Sequence, residues 1–291
     1  MTEQPSPRRV SAGLLIELFV LGNLAFLTLD VYLAHSINAF HNPLEWLPIV
    51  VSAIGALLVL IELPRSIRQS ENLPVRPLGW FVGVVCIVLG VAGMVLHLRD
   101  TFFHEMTLKN LVYIAPFAAP LAYAGLGFLL ILNRMISPQR VEWSQWVVFF
   151  CLGGFLGNFA LSICDHAQNG FFHATEWIPV IAAALAVGML FSALVQPVSS
   201  TYLFLCTGFL LVQMAVGALG FFLHVQSTLM RGGENWWLSV IHGAPVFAPL
   251  LFADIAILGI IGLLTWRSLL IDEQHTAASE EPSMLTPTAV S

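Results

Sequence analysis

The chain has 291 residues, of which 58% are hydrophobic and 10% are charged, and its formal net charge is −6. A soluble domain carries roughly 25% charged residues, so this composition excludes an ordinary soluble enzyme. Together with a mean hydropathy of +0.85, it predicts that the lipid bilayer is the main surrounding partner. We expect no nucleic-acid partner.

Eight apolar runs are long enough to cross the roughly 30 Å of hydrocarbon in a bilayer. Their continuous 3.6-residue periodicity favours helices over the alternating strands of a barrel. The predicted spans are 12–34, 46–63, 79–98, 111–133, 143–166, 177–195, 202–225 and 244–267. The sequence therefore predicts an all-α integral membrane protein with eight transmembrane helices.

The basic residues of the loops predict the orientation, because cytoplasmic loops carry an excess of Lys and Arg. One side receives Arg8, Arg9, Arg65, Arg68, Arg76, Arg134, Arg140 and Arg267. The other side receives Arg99, Lys109 and Arg231. Eight against three predicts that both termini are cytoplasmic. We expect a bacterial inner membrane, so that the opposite, outer face is periplasmic.

A set of polar residues occurs twice in an otherwise apolar chain. Asn23, Asp30, His41, Glu45, Gly90, Gly93 and His97 match Asn158, Asp165, His173, Glu176, Gly217, Gly220 and His224. Each copy spans four predicted helices, an even number, so the copies cross the membrane in the same direction. The pattern predicts a tandem 4+4 parallel repeat about a pseudo-two-fold axis along the membrane normal.

The repeat divides the chain into five segments. We predict a cytoplasmic N-terminal tail at 1–11, a first four-helix repeat at 12–134, a cytoplasmic linker at 135–142, a second repeat at 143–270, and a disordered cytoplasmic tail at 271–291. In this topology the repeated acidic and histidine residues all lie near the outer face.

These residues are a candidate metal site. Histidine together with carboxylate is a ligand mixture for iron, copper(II), zinc or manganese. The predicted metal ligands are Asp30, His41, Glu45, His97, Asp165, His173, Glu176 and His224. His104 and His242 rank lower, because they do not align between the copies. Each half can hold its own site, or both halves can share one on the pseudo-two-fold axis.

The repeated GxxGxxxH pattern has two interpretations. Small residues allow close helix packing in membranes. Alternatively, a bare glycine face leaves room for haem, with the histidine as an axial ligand. Under that hypothesis the cofactor-binding residues are Gly90, Gly93, His97, Gly217, Gly220 and His224.

Two acidic residues have no counterpart in the other half. Asp254 aligns with Gly125 and lies within the eighth predicted span, so it is a candidate proton relay. Glu17 aligns with Leu152 near the inner interface, where we expect it to snorkel. The paired prolines of the fourth and eighth spans predict bent helices.

Three functional hypotheses follow, and the sequence does not decide whether the protein is an enzyme. The first is a membrane metalloprotein that performs redox or oxygen chemistry on a small or lipid-soluble substrate. The second is a haem-binding electron-transfer protein that uses quinol or a periplasmic electron partner. The third is a transporter or metal-handling protein with Asp30, Asp165 and Asp254 along its path. In a purely structural alternative, the histidines are interfacial and the acids cap helices.

Overall fold

The computed structural model describes residues 11–68, 76–99, 101–230 and 235–284. Every regular element in these ranges is a helix, which confirms the all-α prediction. The helices are α1 (Ala12–Ser36), α2 (Trp46–Arg68), α3 (Pro77–Arg99), α4 (Leu108–Tyr113), α5 (Leu121–Met135), α6 (Val141–Gln168), α7 (Trp177–Val195), α8 (Ser200–Met230), α9 (Trp236–His242) and α10 (Leu250–Met284). Short 3-10 turns at Pro43–Glu45 and Ala174–Glu176 precede α2 and α7.

Seven of the described helices are long and apolar enough to cross a membrane, so the chain is an all-α membrane protein. They are α1, α2, α3, α6, α7, α8 and α10. The remaining long helix, α5, has 15 residues and is therefore about 22 Å long, short of the roughly 30 Å of a bilayer core.

The predicted spans 111–133 and 244–267 are not continuous helices. In the first, α4 ends at Tyr113 and α5 begins at Leu121, with Pro116 and Pro120 between them. Proline lacks an N–H donor, clashes with the preceding turn and disfavours the α conformation in the residue before it. Two prolines four residues apart therefore break the helix where only a bend was predicted.

The second span is interrupted in the same way. Pro245 and Pro249 lie between the end of α9 at His242 and the start of α10 at Leu250. The helix α10 then continues through residues 271–284, which the sequence analysis assigned to a disordered tail. Residues 1–10 of the predicted N-terminal tail, 1–11, and the last residues, 285–291, lie outside the described residues.

Within each half, neighbouring helices pack in pairs. The pairs are α1 with α2 and α3 with α5, then α6 with α7 and α8 with α10. The halves meet where α1 contacts α10 and the segment before it, in which Phe247 lies edge-on to Phe26 at 5.3 Å. They also meet where α5 contacts α6, with Phe128 stacked on Phe150 at 5.6 Å. Apolar side chains fill the interior.

The two ends of the bundle carry different polar residues. The histidine end is defined by His35, His97, His166 and His224, which lie near the ends of α1, α3, α6 and α8. The arginine end is defined by Arg76 and Arg134, at the start of α3 and the end of α5.

At the arginine end, the expectation that Glu17 snorkels at the interface is wrong. Its side chain is 2% exposed and accepts hydrogen bonds from Arg76 and Arg134, each at 3.0 Å. A buried carboxylate requires such partners. Two arginines assigned to the cytoplasmic surface are therefore buried and neutralised inside the bundle.

Candidate functional site

Two histidines at the histidine end are held by the backbone of the broken helices. His97 Nδ1 lies 3.1 Å from the carbonyl oxygen of Pro116, and His224 Nδ1 lies 2.8 Å from that of Pro245. A carbonyl can only accept a hydrogen bond, so Nδ1 is the donor in both rings. Each neutral ring then presents Nε2 as its accepting, metal-binding nitrogen.

A second histidine accompanies each of these. His35, on α1, places Nδ1 3.0 Å from the backbone oxygen of Glu45 and interacts electrostatically with His97. His166, on α6, places Nδ1 3.9 Å from Glu176 Oε2 and interacts electrostatically with His224. We call His35, Glu45 and His97 the first His–Glu cluster. His166, Glu176 and His224 form the second His–Glu cluster.

The glutamates of both clusters have the same unusual feature. The Oε2 atoms of Glu45 and Glu176 are buried and have no hydrogen-bond partner among the described residues. A buried polar atom without a partner is costly, and a carboxylate oxygen more so than a neutral one. A proton, a water molecule or a cation at this position would remove the cost.

A strained loop precedes each glutamate. Phe40 and Phe171 have φ values of 54° and 52°, in the left-handed region. Bulky residues adopt this conformation only where the surroundings compensate. Phe40 stacks on Trp46 at 4.2 Å and Phe171 stacks on Trp177 at 4.1 Å. These stacks fix the start of α2 and α7, and with it the position of each glutamate.

The other predicted metal ligands do not join the clusters. His41, His173, His104 and His242 are exposed. Among the described residues, no three His, Cys, Asp or Glu side chains are grouped closely enough to hold a metal ion. The predicted four-ligand sets are therefore not assembled, because the loop histidines face outward.

The aspartates of α1 and α6 also lie apart from the His–Glu clusters. Asp30 is five residues before His35, which places the two side chains on different faces of α1. It interacts electrostatically with Tyr123, whose hydroxyl lies 2.6 Å from Ser52 Oγ. Asp165 immediately precedes His166, about 100° away around α6.

Sequence reasoning missed His35 and His166. In the register of the repeat, His166 aligns with Val31, one helical turn before His35, so a position-by-position comparison does not pair the two histidines. Residues four apart share a helix face. Comparing faces of α1 and α6 would have revealed the pair.

The glycines of the GxxGxxxH pattern form close helix contacts. A Cβ added at Gly90 would lie 2.9 Å from Pro120 O, and one at Gly217 would lie 2.9 Å from Pro249 O. At Gly93 and Gly220, an added Cβ would meet the Cβ of Pro120 and Pro249 at 2.8 and 2.7 Å. The space beside these glycines is thus filled by the starts of α5 and α10, as close packing requires.

One further polar contact joins the halves. Asn23 Nδ2, on α1, donates to Asp254 Oδ1, on α10, at 2.9 Å. The corresponding amide, Asn158, is buried, and its Nδ2 has no partner in the described part of the chain.

No protein-family model, curated protein or solved structure matches the chain.

Proposed function

We propose that the chain is a membrane metalloprotein that binds one transition-metal ion, of iron, copper, zinc or manganese, at each His–Glu cluster. Binding would draw the three side chains of a cluster together, because among the described residues no three such groups already lie close enough to hold an ion. The observation that carries the proposal is the repeated orientation of His97 and His224 by proline carbonyls. Metal-ligating histidines commonly donate their other ring N–H to a carbonyl or carboxylate, which fixes the tautomer and the ring.

The geometry of the second cluster supports an ion that a histidine and a glutamate bind together. His166 Nδ1 and Glu176 Oε2 are 3.9 Å apart. An ion about 2.1 Å from each atom spans separations up to about 4.2 Å. The cation would also satisfy the buried Glu176 Oε2, which has no partner among the described residues. In this proposal His35 and His166 replace the exposed His41 and His173 as ligands.

We further propose that the chain crosses the membrane eight times as a tandem 4+4 parallel repeat. The broken segments α4–α5 and α9–α10 then serve as the fourth and eighth crossings. Matching hydrogen bonds, glycine contacts and aromatic stacks in both halves support this arrangement. Without the buried Arg76 and Arg134, the count of basic residues is six against three. It still favours cytoplasmic termini and a periplasmic histidine end.

Metal analysis of the purified protein tests the proposal. We expect two transition-metal ions per chain, one in His97→Ala or His224→Ala, and none in the double variant. The matched controls are His41→Ala and His173→Ala, which remove exposed histidines from the loops just before Glu45 and Glu176. Both control proteins should retain both ions. Absence of stoichiometric metal in the folded wild-type protein, or equal loss in the controls, would overturn it.

Within this proposal the chemistry is redox or oxygen chemistry on a small or lipid-soluble substrate at the histidine end. Haem iron is the alternative to a single ion at the Nε2 atoms, with quinol or a periplasmic protein as electron donor. It would have to lie away from the glycines, whose faces are filled by the starts of α5 and α10. An optical spectrum separates the two, because only haem produces a Soret band. A Soret band lost in His97→Ala or His224→Ala would favour haem.

A second candidate function is transport, favoured by the two broken helices. Discontinuous helices at matching positions of two repeats often border a substrate path in transporters. The contact of Asn23 with Asp254 lies between the two halves and supplies a polar step on such a path. Loss of flux into liposomes in Asp254→Asn, with unchanged metal content, would support transport over metal-dependent catalysis.

A further inference from the structure

The contact between Asn23 and Asp254 lies near the middle of the membrane-spanning helix α1. Asn23 is 11 residues from Ala12 and 13 residues from Ser36, the two ends of α1. At 1.5 Å per residue, it is about 16 Å from one end of the helix and about 20 Å from the other. The hydrogen bond of 2.9 Å places Asp254 at the same depth.

No lysine or arginine in the described ranges forms an ion pair with Asp254. Ionisable residues within membrane spans usually pair with one another or mark ion and proton pathways. Asp254 is paired instead with the neutral amide of Asn23.

Three titratable groups on the helices that pack against α10 have partners other than Asp254. On α6, the Cys151 thiol donates to the carbonyl oxygen of Ile255, the residue after Asp254, at 3.3 Å. On α8, His224 lies at the histidine end and is bound to Pro245. On α1, Glu17 is bound to Arg76 and Arg134 at the arginine end.

We infer that Asp254, held by Asn23, is a proton-binding site at the contact between the two halves. The ligand is a proton, taken up on Oδ2 to give a neutral carboxylic acid. Protonation of Oδ2 is compatible with the geometry, because Oδ1 remains free to accept the hydrogen bond of Asn23. The site is independent of the proposed metal clusters, which share no residue with it.

Labelling with dicyclohexylcarbodiimide tests this inference, since the reagent modifies protonated carboxyl groups in apolar surroundings. The full-length protein in liposomes is treated across a range of pH, and modified residues are found by mass spectrometry. A water-exposed carboxyl is almost fully ionised at neutral pH. We therefore expect labelling of Asp254 at least about tenfold above that of the exposed control Asp272.

Two variants sharpen the test. Asp254→Asn, which keeps the shape and the amide contact, should lose the label. Asn23→Leu removes a donor that favours the ionised form, so labelling of Asp254 should persist to higher pH than in the wild type.

Two results would overturn the inference. The first is an unlabelled Asp254 at neutral pH in protein whose folding is verified by circular dichroism and size-exclusion chromatography. The second is protection of Asp254 by sodium ions at constant pH, which would make the ligand an alkali cation. Metal content is measured on the same samples, so failure of the metal proposal is scored separately.

Discussion

The register of the sequence repeat pairs four charged residues of the first half, at the arginine end, with four apolar residues of the second half. In the first half these positions hold Glu17, Glu62, Arg76 and Arg134. In the second half, the register of the repeat places Leu152, Ala193, Leu203 and Leu263 there. All eight residues are at most 7% exposed. The first half thus buries two acidic and two basic side chains, whose charges cancel, at positions where the second half buries only apolar side chains.

The four charges of the first half form one connected network. Arg134 bonds Glu17 at 3.0 Å and Glu62 at 2.8 Å, and Arg76 bonds Glu17 at 3.0 Å. Glu62 also accepts from the backbone N–H groups of Leu78 and Gly79 at the start of α3. Because the acids lie on α1 and α2 and Arg134 lies on α5, the network fixes four helices relative to one another.

From this difference we infer, as a hypothesis that the variants below test, that the network contributes specificity more than stability. Apolar residues of similar volume often replace a buried ion cluster without loss, whereas removal of one partner leaves an uncompensated charge. Directional ion pairs fix the relative positions of α1, α2, α3 and α5. The apolar packing of the second half is non-directional, so its helices have more freedom to shift at this end.

Replacing Arg134 by leucine, the residue at its counterpart position 263, should give the largest effect. It leaves Glu17 with Arg76 alone and deprives Glu62 of its cation. Breaking a buried pair in this way costs about 3–5 kcal/mol. We expect a lower free energy of unfolding in detergent, measured by titration with a denaturing surfactant.

The matched control is Arg140→Leu, which removes an exposed arginine six residues further along the chain. Surface substitutions of this kind change stability by less than about 0.5 kcal/mol. Equal unfolding of the Arg134→Leu and Arg140→Leu proteins would contradict the role given to the network.

Converting the whole network to the side chains of the second half should undo much of that loss. The fourfold variant Glu17→Leu, Glu62→Ala, Arg76→Leu and Arg134→Leu contains no buried charge at these positions. It should recover at least about 2 kcal/mol of what Arg134→Leu alone loses, because these residues act as a unit. A fourfold variant that is less stable than Arg134→Leu would show that the network itself supplies the stability.

Toward the histidine end, Gly90 and Gly217 make the same kind of helix contact in the two halves. Replacing either glycine by alanine should therefore change the stability by a similar amount. Gly90→Ala and Gly217→Ala each bring a Cβ to 2.9 Å from a proline carbonyl oxygen, and overpacking of this kind costs about 1–3 kcal/mol. The control pair is Gly22→Ala and Gly157→Ala, where an added Cβ meets nothing within 4 Å. These should stabilise by up to about 1 kcal/mol through helix propensity.

Thermal unfolding of the four alanine variants in one detergent measures the difference. If Gly90→Ala were destabilising while Gly217→Ala behaved like the open controls, the equivalence of the two helix contacts would fail.

The sequence predicts the helices well, because long apolar runs leave few alternatives in a membrane. It does not reveal that two of the spans break, because a hydropathy value does not record whether a residue has a backbone N–H. Proline has none, and four prolines interrupt these spans: Pro116, Pro120, Pro245 and Pro249. It also misplaces Glu17, whose partners Arg76 and Arg134 follow 59 and 117 residues later. Such pairings depend on tertiary packing and leave no local pattern.

The candidate site was predicted only in part, for a related reason. The repeat predicts four residues of the two clusters, namely Glu45, Glu176, His97 and His224. In the structure, His35 interacts with Glu45 and His97, and His166 interacts with Glu176 and His224. Their partners His35 and His166 differ in register by one turn, so the alignment did not pair them. The loop histidines matched in sequence but lie exposed, because a short loop does not fix which way a side chain faces.

The smallest predicted effect concerns the contact of Asn23 with Asp254, which the second half lacks. In the register of the repeat, the counterparts of Asn23 and Asp254 are the buried Asn158, whose Nδ2 has no partner among the described residues, and Gly125. A Cβ at Gly125 meets nothing within 4 Å, so Gly125→Asp can introduce the missing acceptor. If the pseudo-two-fold holds, a double-mutant cycle of Gly125→Asp with Asn158→Leu should give a coupling of about 0.5–1.5 kcal/mol, the worth of one hydrogen bond. The aspartate should also become a second target of the carbodiimide. Zero coupling with no new label would mean that Asn158 does not face α5 as Asn23 faces α10.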